Sequence, residues 1–353
     1  MKTSKINIKS LPREELRSRL VEMGLKKYRA DQVLTWIYRQ YARSFEDMTN
    51  IKKTERDALS SVFAIPSPEI LRTEVSGDGT RKFLFALEDK HFIESVLIPD
   101  EDRQTLCISS QVGCQQACRF CLTGNGGFTR NLRAPEIADQ VLEISRVLSQ
   151  EGGRGITNIV LMGMGEPLAN FDEVVKALTI ITSDMGLGFS PRRVTLSTAG
   201  LVPGIGDLGK SGVKVNLAIS LNATTDEVRD RIMPVNRRYP IKELLAACRR
   251  FPLEPRRRIT FEYVLLKNVN DSEDDALRLA KLLRGIKSKV NLIPFNPFPG
   301  SQFKRPDDAS VRRFQKILLD HHYTAPIRGS RGRDISAACG QLREREGSAS
   351  FFP

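Results

Sequence analysis

Residues 113–121, with the sequence GCQQACRFC, decide the fold of this 353-residue chain because they place three cysteines on one short loop. Cys114, Cys118 and Cys121 follow the spacing C-x3-C-x2-C, and no fourth cysteine or histidine follows nearby. A closed structural zinc site needs four ligands, usually as two separated pairs. Thiolates also bind iron–sulfur clusters, and a [4Fe–4S] cluster held by three cysteines keeps one iron open. The loop therefore predicts a cluster whose open iron binds a small molecule, or a zinc site that a distant ligand completes.

The spacing of the loop resembles that of radical S-adenosylmethionine (SAM) enzymes, in which the amino and carboxylate groups of SAM bind the open iron. A second motif, GMGEP at 163–167, directly follows the apolar run ITNIVLM. Its glycines would allow the backbone to approach a ligand closely. At this position the motif resembles the segment that holds the amino group of SAM. Gly165 and Glu166 are therefore predicted to bind SAM, although most Gly-Glu-Pro turns are only turns.

Strands and helices alternate from about Gln104 onward, which predicts an α/β fold with a parallel sheet. Helical patterns separate six strand candidates, which are TLCIS, ITNIVLMG, RRVTLST, VKVNLAISL, RITFEYVLL and KVNLIPFN. Periodicity alone leaves open a six-stranded partial barrel or an open doubly wound sheet. The cluster loop follows the first strand, and by resemblance this favours a radical SAM partial (β/α)6 barrel.

Ligand residues in such a barrel should lie at the carboxyl ends of its strands. Three segments in this position, LSTAG, ISLNA and PFNPFPG, contain the predicted SAM-binding residues Ser197, Ser220, Leu221, Asn222 and Asn296. Taken singly, each polar residue is as well explained as a cap or turn residue. Together they would surround one barrel mouth, as a pocket for the ribose and carboxylate of SAM requires.

The chain is predicted to contain four parts. Residues 1–66 form a helical accessory domain, 67–103 a β-hairpin extension or linker, 104–345 the catalytic domain with a reactive-cysteine loop, and 346–353 a tail. Helical spacing in the first part predicts a core made of Leu20, Val21, Val33, Leu34, Trp36 and Ile37.

Charge and composition indicate a polyanionic partner. The net charge is +13, and basic residues cluster in the N-terminal part, at 249–258 and at 328–333. Nucleic acid is the predicted partner, because no basic amphipathic helix indicates a membrane. A cytoplasmic location is expected, since the chain lacks an apolar run of about 18 residues and a signal-peptide h-region. Six cysteines in such a protein favour metal or catalytic thiols over disulfides.

Successive motifs make the resemblance more specific. They are LCISSQVGCQQACRFCLTGNGGFTRNL, VLMGMGEPLAN, TLSTAG, AISLNA, NPFPGS and RGRDISAACGQLR. From Gly77 onward the chain resembles the RlmN family, dual-specificity enzymes that methylate carbon 2 of adenine in 23S ribosomal RNA and transfer RNA. The N-terminal helical part also resembles the accessory domain of that family.

This resemblance implies a mechanism. Carbon 2 of adenine lies between two ring nitrogens and is too electron-poor to attack the methyl group of SAM, so radical chemistry is required. The [4Fe–4S] cluster would lie on Cys114, Cys118 and Cys121, and each turnover would use two SAM molecules. Cys339 would take a methyl group from the first and become S-methylcysteine. A 5′-deoxyadenosyl radical from the second would convert that methyl to a methylene radical, which adds to the base.

The resemblance also implies roles for two further residues. Glu94, in FIESVLIP, matches the residue that accepts the proton of the ring carbon. Cys107 would attack the sulfur of Cys339, and the transient disulfide would release the RNA. A protein reductant is expected to supply electrons, and the enzyme is expected to be a monomer. Without the resemblance, Glu94 reads as a solvent-facing carboxylate of an alternating strand, and a lone cysteine such as Cys248 reads as a small core residue.

Other functions remain open at this point. The sister family that methylates carbon 8 of the same ribosomal adenine shares the cysteines. A non-enzymatic iron–sulfur RNA-binding protein would need the cluster loop, but neither GMGEP nor the thiol of Cys339. A radical methylthiotransferase needs three more cysteines upstream of the loop, where only Cys107 is present.

Overall fold

The structure, a computed structural model, describes residues 5–343, so the predicted tail at 346–353 lies outside the described residues. The strands in this range are β1 (Ile6–Asn7), β2 (Phe63–Ala64), β3 (Glu69–Val75), β4 (Arg81–Ala86), β5 (Phe92–Asp100), β6 (Arg103–Cys107), β7 (Gln111–Gly113), β8 (Phe128–Asn131), β9 (Asn158–Leu161), β10 (Val194–Thr198), β11 (Asn216–Ser220), β12 (Ile259–Leu265) and β13 (Ser288–Pro294). The α-helices are α1 (Arg13–Glu22), α2 (Tyr28–Arg39), α3 (Lys53–Val62), α4 (Leu122–Asn125), α5 (Ala134–Gln150), α6 (Phe171–Thr182), α7 (Val202–Lys210), α8 (Asp226–Ile232), α9 (Ile241–Arg250), α10 (Glu273–Leu282) and α11 (Asp308–Asp320).

Six parallel strands form a partial barrel in the order β6, β9, β10, β11, β12 and β13. Helices follow the strands as crossovers, so the predicted radical SAM partial barrel is confirmed. Antiparallel strands β5, β4 and β3 continue the same nine-stranded sheet beyond β6. The residues predicted to form a β-hairpin extension thus extend the edge of the barrel.

The two faces of the barrel strands differ in chemistry. Residues directed to the helices are apolar and at most 1% exposed: Leu106, Ile159, Leu196, Leu217, Phe261 and Leu292. Residues paired across neighbouring strands share a face, and on the opposite face Cys107 pairs with Val160 while Ser220, Glu262 and Asn291 form one row. The inside of the barrel, called the lumen below, therefore carries polar and thiol groups.

Helix α7 was not predicted by the helical pattern, because its sequence VPGIGDLGK is rich in glycine. Packing explains the composition. A Cβ on Gly204 would lie 2.9 Å from Cβ of Leu168, and one on Gly209 would lie 2.8 Å from Cδ of Pro252. Only glycine allows this crossover to pack so closely, at the cost of intrinsic helix propensity.

The N-terminal helices pack around Leu20, Val33, Leu34 and Ile37, as predicted. Val21 is a correction, because its side chain is 44% exposed. Only Leu16 and Leu20 are buried on α1, so this helix presents a narrow face to the core, and Val21, turned about 100° from Leu20, lies outside it. Trp36 is only half-buried, and its Nε1 donates a hydrogen bond of 2.6 Å to Asn50 Oδ1.

Two ion pairs, one of them buried, join the N-terminal part to the barrel. Lys9 Nζ lies 2.6 Å from Asp139 Oδ1 on α5, and both side chains are almost fully buried. Arg43 also contacts Glu143 of α5 at 2.9 Å. Over the described residues, no helix has both the length and the apolar character needed to cross a membrane.

Candidate active site

The three cysteines of the loop lie at the mouth of the barrel, between β7 and α4. The amide of Cys114 donates to the carbonyl of Gly127 at 2.7 Å, and the amide of Cys121 donates to that of Cys118 at 3.1 Å. Gly124 allows α4 to begin directly against the loop, because a Cβ there would lie 2.9 Å from the amide nitrogen of Cys118. Local packing therefore fixes the backbone at all three cysteines.

The thiols are close enough to affect each other electrostatically. Burial raises the pKa of Cys118 well above its ordinary value, and the neighbouring Cys121 and Cys114 raise it further. Burial also raises the pKa of Cys114, to about 12. Binding of a metal must displace these protons.

The number of thiols on the loop fits a [4Fe–4S] cluster with one open iron. Among residues 5–343, no three His, Cys, Asp or Glu side chains are arranged to hold a single metal ion. In a [4Fe–4S] cluster each thiolate binds a different iron, so the three sulfurs need not converge on one point. Apolar residues next to Cys118 and Phe120, among them Ile232 and Phe295, would shield such a cluster from water.

The GMGEP turn lies against the residues that follow β6. A Cβ on Gly163 would lie 2.7 Å from Ser109 Oγ, and Gly165, with φ +104°, faces Gln111 in the same way at 2.6 Å. The two glycines therefore allow the GMGEP turn to pack closely against Ser109 and Gln111, while the predicted contact with SAM stays a prediction. The amide of Glu166 donates to Gln111 Oε1 at 2.9 Å and completes the contact.

Glu166 is buried beyond the end of β9, and its carboxylate accepts hydrogen bonds from the backbone that follows β9 and from the backbone that follows β10. Its Oε1 accepts a hydrogen bond from the amide of Leu168 at 3.0 Å, and its Oε2 accepts one from the amide of Ala199 at 2.6 Å. Burial raises the pKa of Glu166 to about 7, although these hydrogen bonds oppose the rise. A cationic group placed beside this carboxylate would stabilise its charged form.

The other predicted SAM-binding residues also lie at strand ends, but in different environments. Ser197 and Ser220 are half-buried, whereas Leu221 and Asn222 are almost fully buried. Asn222 Oδ1 accepts a hydrogen bond from the amide of Val264 at 2.8 Å, so this side chain connects β11 to β12.

Asn296 is 4% exposed, and its Oδ1 has no hydrogen-bond partner within the described part of the chain. An unpaired buried acceptor at this place fits a ligand that donates a hydrogen bond.

The segment that carries Cys339 contacts the cluster loop. The amide of Leu122 donates to the carbonyl of Gly340 at 2.7 Å, and Thr123 Oγ1 donates to the carbonyl of Leu342 at 2.6 Å. Gln341 Nε2 donates to the carbonyl of Pro297, near the end of β13, at 2.9 Å. The structure thus brings Cys339 beside Cys121, more than 200 residues away in sequence.

Cys107 and Cys339 lie in the same electrostatic environment. Burial raises the pKa of Cys107 to about 12, and the thiol of Cys339 adds to this effect. Cys339 is exposed to solvent. The protein around its thiol nevertheless raises the pKa of that thiol by removing water from it, and the negative charge of Glu262 raises the pKa further. Cys107, on the lumen face of β6, and the exposed Cys339 are thus close enough for one thiol to affect the pKa of the other.

Glu94 lies on β5 and is 4% exposed, so it is not a solvent-facing strand residue. Its Oε1 lies 3.2 Å from Lys82 Nζ, and its Oε2 accepts the amide of Arg343 at 2.9 Å. Burial raises the pKa of Glu94, while the charge of Lys82 opposes the rise. The predicted proton acceptor thus contacts the end of the segment that carries Cys339.

Sequence patterns did not reveal several residues that hold the site together. Gln140 on α5 accepts the amide of Ser109 at 2.8 Å and donates to its carbonyl at 2.9 Å. Arg229 on α8 is fully buried and donates to the carbonyls of Ala199 and Leu221. A long polar residue on the apolar side of a helix is the signal that would have identified Gln140.

Comparisons with known proteins agree with this geometry. Residues 6–65 match the family described as ribosomal RNA large subunit methyltransferase N-terminal domain, and residues 108–280 match the radical SAM superfamily. The dual-specificity RNA methyltransferase RlmN of Geotalea uraniireducens (strain Rf4) is 56% identical over 341 residues, 97% of this chain and 97% of that protein. RlmN of Syntrophus aciditrophicus (strain SB) is 53% identical over 342 residues, again 97% of each.

A solved structure is similar over nearly the whole chain. The crystal structure of a radical SAM methyltransferase from Sphaerobacter thermophilus is 46% identical, with a TM-score of 0.91, and covers 96% of this chain and 99% of that one. The partial barrel and the three-cysteine loop, with these matches, define a radical SAM enzyme, whose cofactors are a [4Fe–4S] cluster and SAM. More specifically, the chain belongs to the RlmN family of dual-specificity RNA methyltransferases. The resemblance found in the sequence is confirmed, while the roles of individual residues stay predictions.

Proposed function

We propose that this chain methylates carbon 2 of adenine in 23S ribosomal RNA and in transfer RNA, with Cys339 as the methyl carrier. The observation that supports this most strongly is that the segment carrying Cys339 is hydrogen-bonded to the end of the cluster loop, with Cys107 close enough to interact with Cys339 electrostatically. Gly340 and Leu122, the neighbours of Cys339 and Cys121, are joined by a hydrogen bond of 2.7 Å. Hydrogen abstraction needs the two reacting groups held in contact, and this bond keeps the carrier next to the loop.

The cofactors would be held by residues around the barrel mouth. Cys114, Cys118 and Cys121 would bind the cluster, and SAM would contact Gly165, Glu166, Ser197, Ser220, Leu221, Asn222 and Asn296. When bound, the cluster and SAM supply the methyl group and the carbon radical that an electron-poor ring carbon requires. The unpaired Oδ1 of Asn296 would accept a hydrogen bond from SAM.

The thiols of Cys339 and Cys107 would act one after the other. Sγ of Cys339 would hold the carbon that becomes bonded to the adenine. Cys107, buried on β6, would then attack that sulfur, so that an S–S bond forms and the S–C bond breaks. The electron pair of the broken bond would stay on the carbon, which takes up a proton and becomes the methyl group. Reduction of the disulfide would require an external reductant, for which we propose a protein partner.

Glu94 would remove the proton from the ring carbon, and the unpaired electron that radical addition leaves on the ring would pass to the bound cluster, which would supply the one-electron acceptor. Burial raises its pKa, which makes the carboxylate a stronger base than an exposed one. Its contact with the amide of Arg343 places it beside the segment that carries Cys339. The base Glu94 and the methyl carrier Cys339 would therefore lie close together, because Glu94 contacts the segment to which Cys339 belongs.

The N-terminal part, residues 1–66, would dock folded RNA. It matches a domain named for ribosomal RNA methyltransferases, and the chain carries a net charge of +13. Two ion pairs, of which Lys9–Asp139 is buried, hold this part on α5, so that RNA bound there would keep a constant position relative to the barrel. We further propose a cytoplasmic location, where both RNA substrates are found, and action as a monomer.

Mass spectrometry of nucleosides tests this function. Unmodified 23S ribosomal RNA fragments and transfer RNA would be incubated with reconstituted protein, SAM and a reductant, then digested and compared with standards. We expect 2-methyladenosine from both RNAs, and none with Cys339→Ala. Formation of 8-methyladenosine instead would contradict the proposal and favour the sister activity.

A further inference from the structure

The turn between β3 and β4, residues 76–79, contacts the segment that leads to Cys339. Ser76 Oγ donates to Asp334 Oδ1 at 2.6 Å, and the amide of Gly77 donates to Asp334 Oδ2 at 3.2 Å. In the reverse direction, the amide of Gly332 donates to Asp78 Oδ2 at 2.9 Å. Each carboxylate thus accepts hydrogen bonds from the other segment. We refer to Ser76, Asp78 and Asp334 as the clasp.

Packing strengthens the clasp on the side of the turn. A Cβ on Gly332 would lie 2.9 Å from Cγ2 of Thr80 and 2.8 Å from Cβ of Ala337, and the φ of this glycine is +60°. The amide of Ala337 donates to the carbonyl of Gly332 at 2.8 Å and closes a small loop. This loop ends two residues before Cys339, so its position determines where the thiol begins.

Both carboxylates of the clasp are ionised at neutral pH. Hydrogen bonds from Ser76 and from the amide of Gly77 lower the pKa of Asp334. Burial acts to raise the pKa of Asp78, but hydrogen bonds from Thr80 and from the amide of Gly332 lower it to about 2. Hydrogen bonds to a charged acceptor are roughly twice as strong as neutral ones.

The other side of Cys339 is also tied to the β3–β5 part of the sheet. The amide of Arg343 donates to Glu94 on β5, and Lys82 on β4 lies 3.2 Å from Glu94 and 2.9 Å from Glu74. The sheet edge therefore holds the chain before and after the thiol. Because Cys339 itself is exposed, these two attachments restrain a residue that has little packing of its own.

We propose that the clasp is a positioning device for Cys339, which keeps the carrier thiol within reach of both the cluster loop and Cys107. This inference rests on the proposed role of Cys339 as methyl carrier. The three residues touch neither SAM nor RNA in this role. They act through the backbone of 332–337, whose displacement by about 1 Å would be enough to lower the rate about 100-fold.

A double-mutant cycle tests the inference. Ser76→Ala, Asp334→Ala and the double variant would be compared with Asp207→Ala, an exposed carboxylate of α7 with no hydrogen bond or ion pair among those found in the described residues. We expect kcat for RNA methylation to fall 10- to 100-fold in Asp334→Ala while KM for RNA changes less than twofold. The double variant should lose no more than Asp334→Ala, because both changes remove the same hydrogen bond.

Loop attachment would be measured separately, by the rate of tryptic cleavage after Arg331 and Arg333. The clasp variants should be cleaved at least 10-fold faster than the wild type, with unchanged iron content and melting temperature. Wild-type kcat in Asp334→Ala, or losses that simply add in the double variant, would overturn the inference. Failure of the proposed function would look different, since Cys339→Ala would then still methylate RNA while the cleavage result stayed the same.

Discussion

At the scale of single residues, the six cysteines divide by their surroundings. Three occupy the loop at the barrel mouth, Cys107 is buried on β6, Cys339 is exposed beside the loop, and Cys248 is 2% exposed in the apolar core between α9 and the sheet. Residue type alone could not separate these groups. Spacing in sequence identified the first group, whereas the partnership of Cys107 with Cys339 is a prediction from the family resemblance, and the structure places the two thiols near enough to interact electrostatically.

Cluster binding depends on the loop cysteines and not on cysteine content. Cys118→Ala should abolish the brown absorbance and lower the iron content to near zero after anaerobic reconstitution, because one iron loses its only protein ligand. The matched change Cys248→Ala should keep about four irons per chain. Iron analysis and the visible spectrum measure both. A full cluster in Cys118→Ala would remove the basis of the assignment.

Replacement of Cys107 and replacement of Cys339 should block the reaction at different steps. Cys107→Ala should form the bond between Cys339 and RNA but not break it, so the purified variant should carry covalently bound RNA. Cys339→Ala should carry none, because the sulfur that would hold the RNA is absent. Denaturing gel electrophoresis with and without ribonuclease distinguishes them. Normal turnover by Cys107→Ala would show that its proposed role in release is wrong.

At the scale of elements, the GMGEP turn packs closely against Ser109 and Gln111, which follow β6, and we propose that this turn forms one side of the SAM pocket. Gly165→Ala would place a Cβ 2.6 Å from Gln111 and would force a positive φ on alanine. We expect a loss of about 2–4 kcal/mol in the free energy of unfolding, from overpacking and backbone strain together. Weaker SAM binding should accompany it, as measured by calorimetry on the reconstituted protein.

A second glycine provides the control for this prediction. Gly206 lies in α7, and a Cβ there would meet nothing within 4 Å. Gly206→Ala should therefore raise stability by roughly 0.5–1 kcal/mol, through helix propensity alone. Equal melting temperatures for the two variants would contradict the account of the turn.

The sequence predicted most elements of the barrel but not the contacts that assemble its site. Alternation of apolar strands with amphipathic helices gave all six barrel strands, because each strand is buried on one face. It could not give α7, whose glycines are needed for packing against Leu168 and Pro252. Nor could it show that Arg229, in the charged stretch DEVRDRI, is buried and connects two strand ends. Periodicity reports that a residue is covered but not which partner covers it.

At the scale of the whole molecule, RNA binding should depend on charges outside the barrel. Lys26, Lys27, Lys52 and Lys53 are exposed on the N-terminal part. Changing all four to Gln should weaken RNA binding. The slope of the logarithm of the binding constant against the logarithm of the salt concentration should become shallower by roughly 0.7–0.9 for each lost phosphate contact. Filter binding over a range of salt concentrations measures this, with the exposed Lys242→Gln of α9 as control. An unchanged slope in the fourfold variant would place the RNA elsewhere.

The central claim is that the added carbon passes through Cys339 as a methylene group and does not move directly from SAM to RNA. Deuterium in the methyl group of SAM tests this claim most directly. One deuterium should leave when hydrogen is abstracted on Cys339, so the 2-methyladenosine formed from CD3-labelled SAM should contain two deuterium atoms, with the third recovered in 5′-deoxyadenosine. A product with all three deuterium atoms would mean direct transfer and would contradict the account.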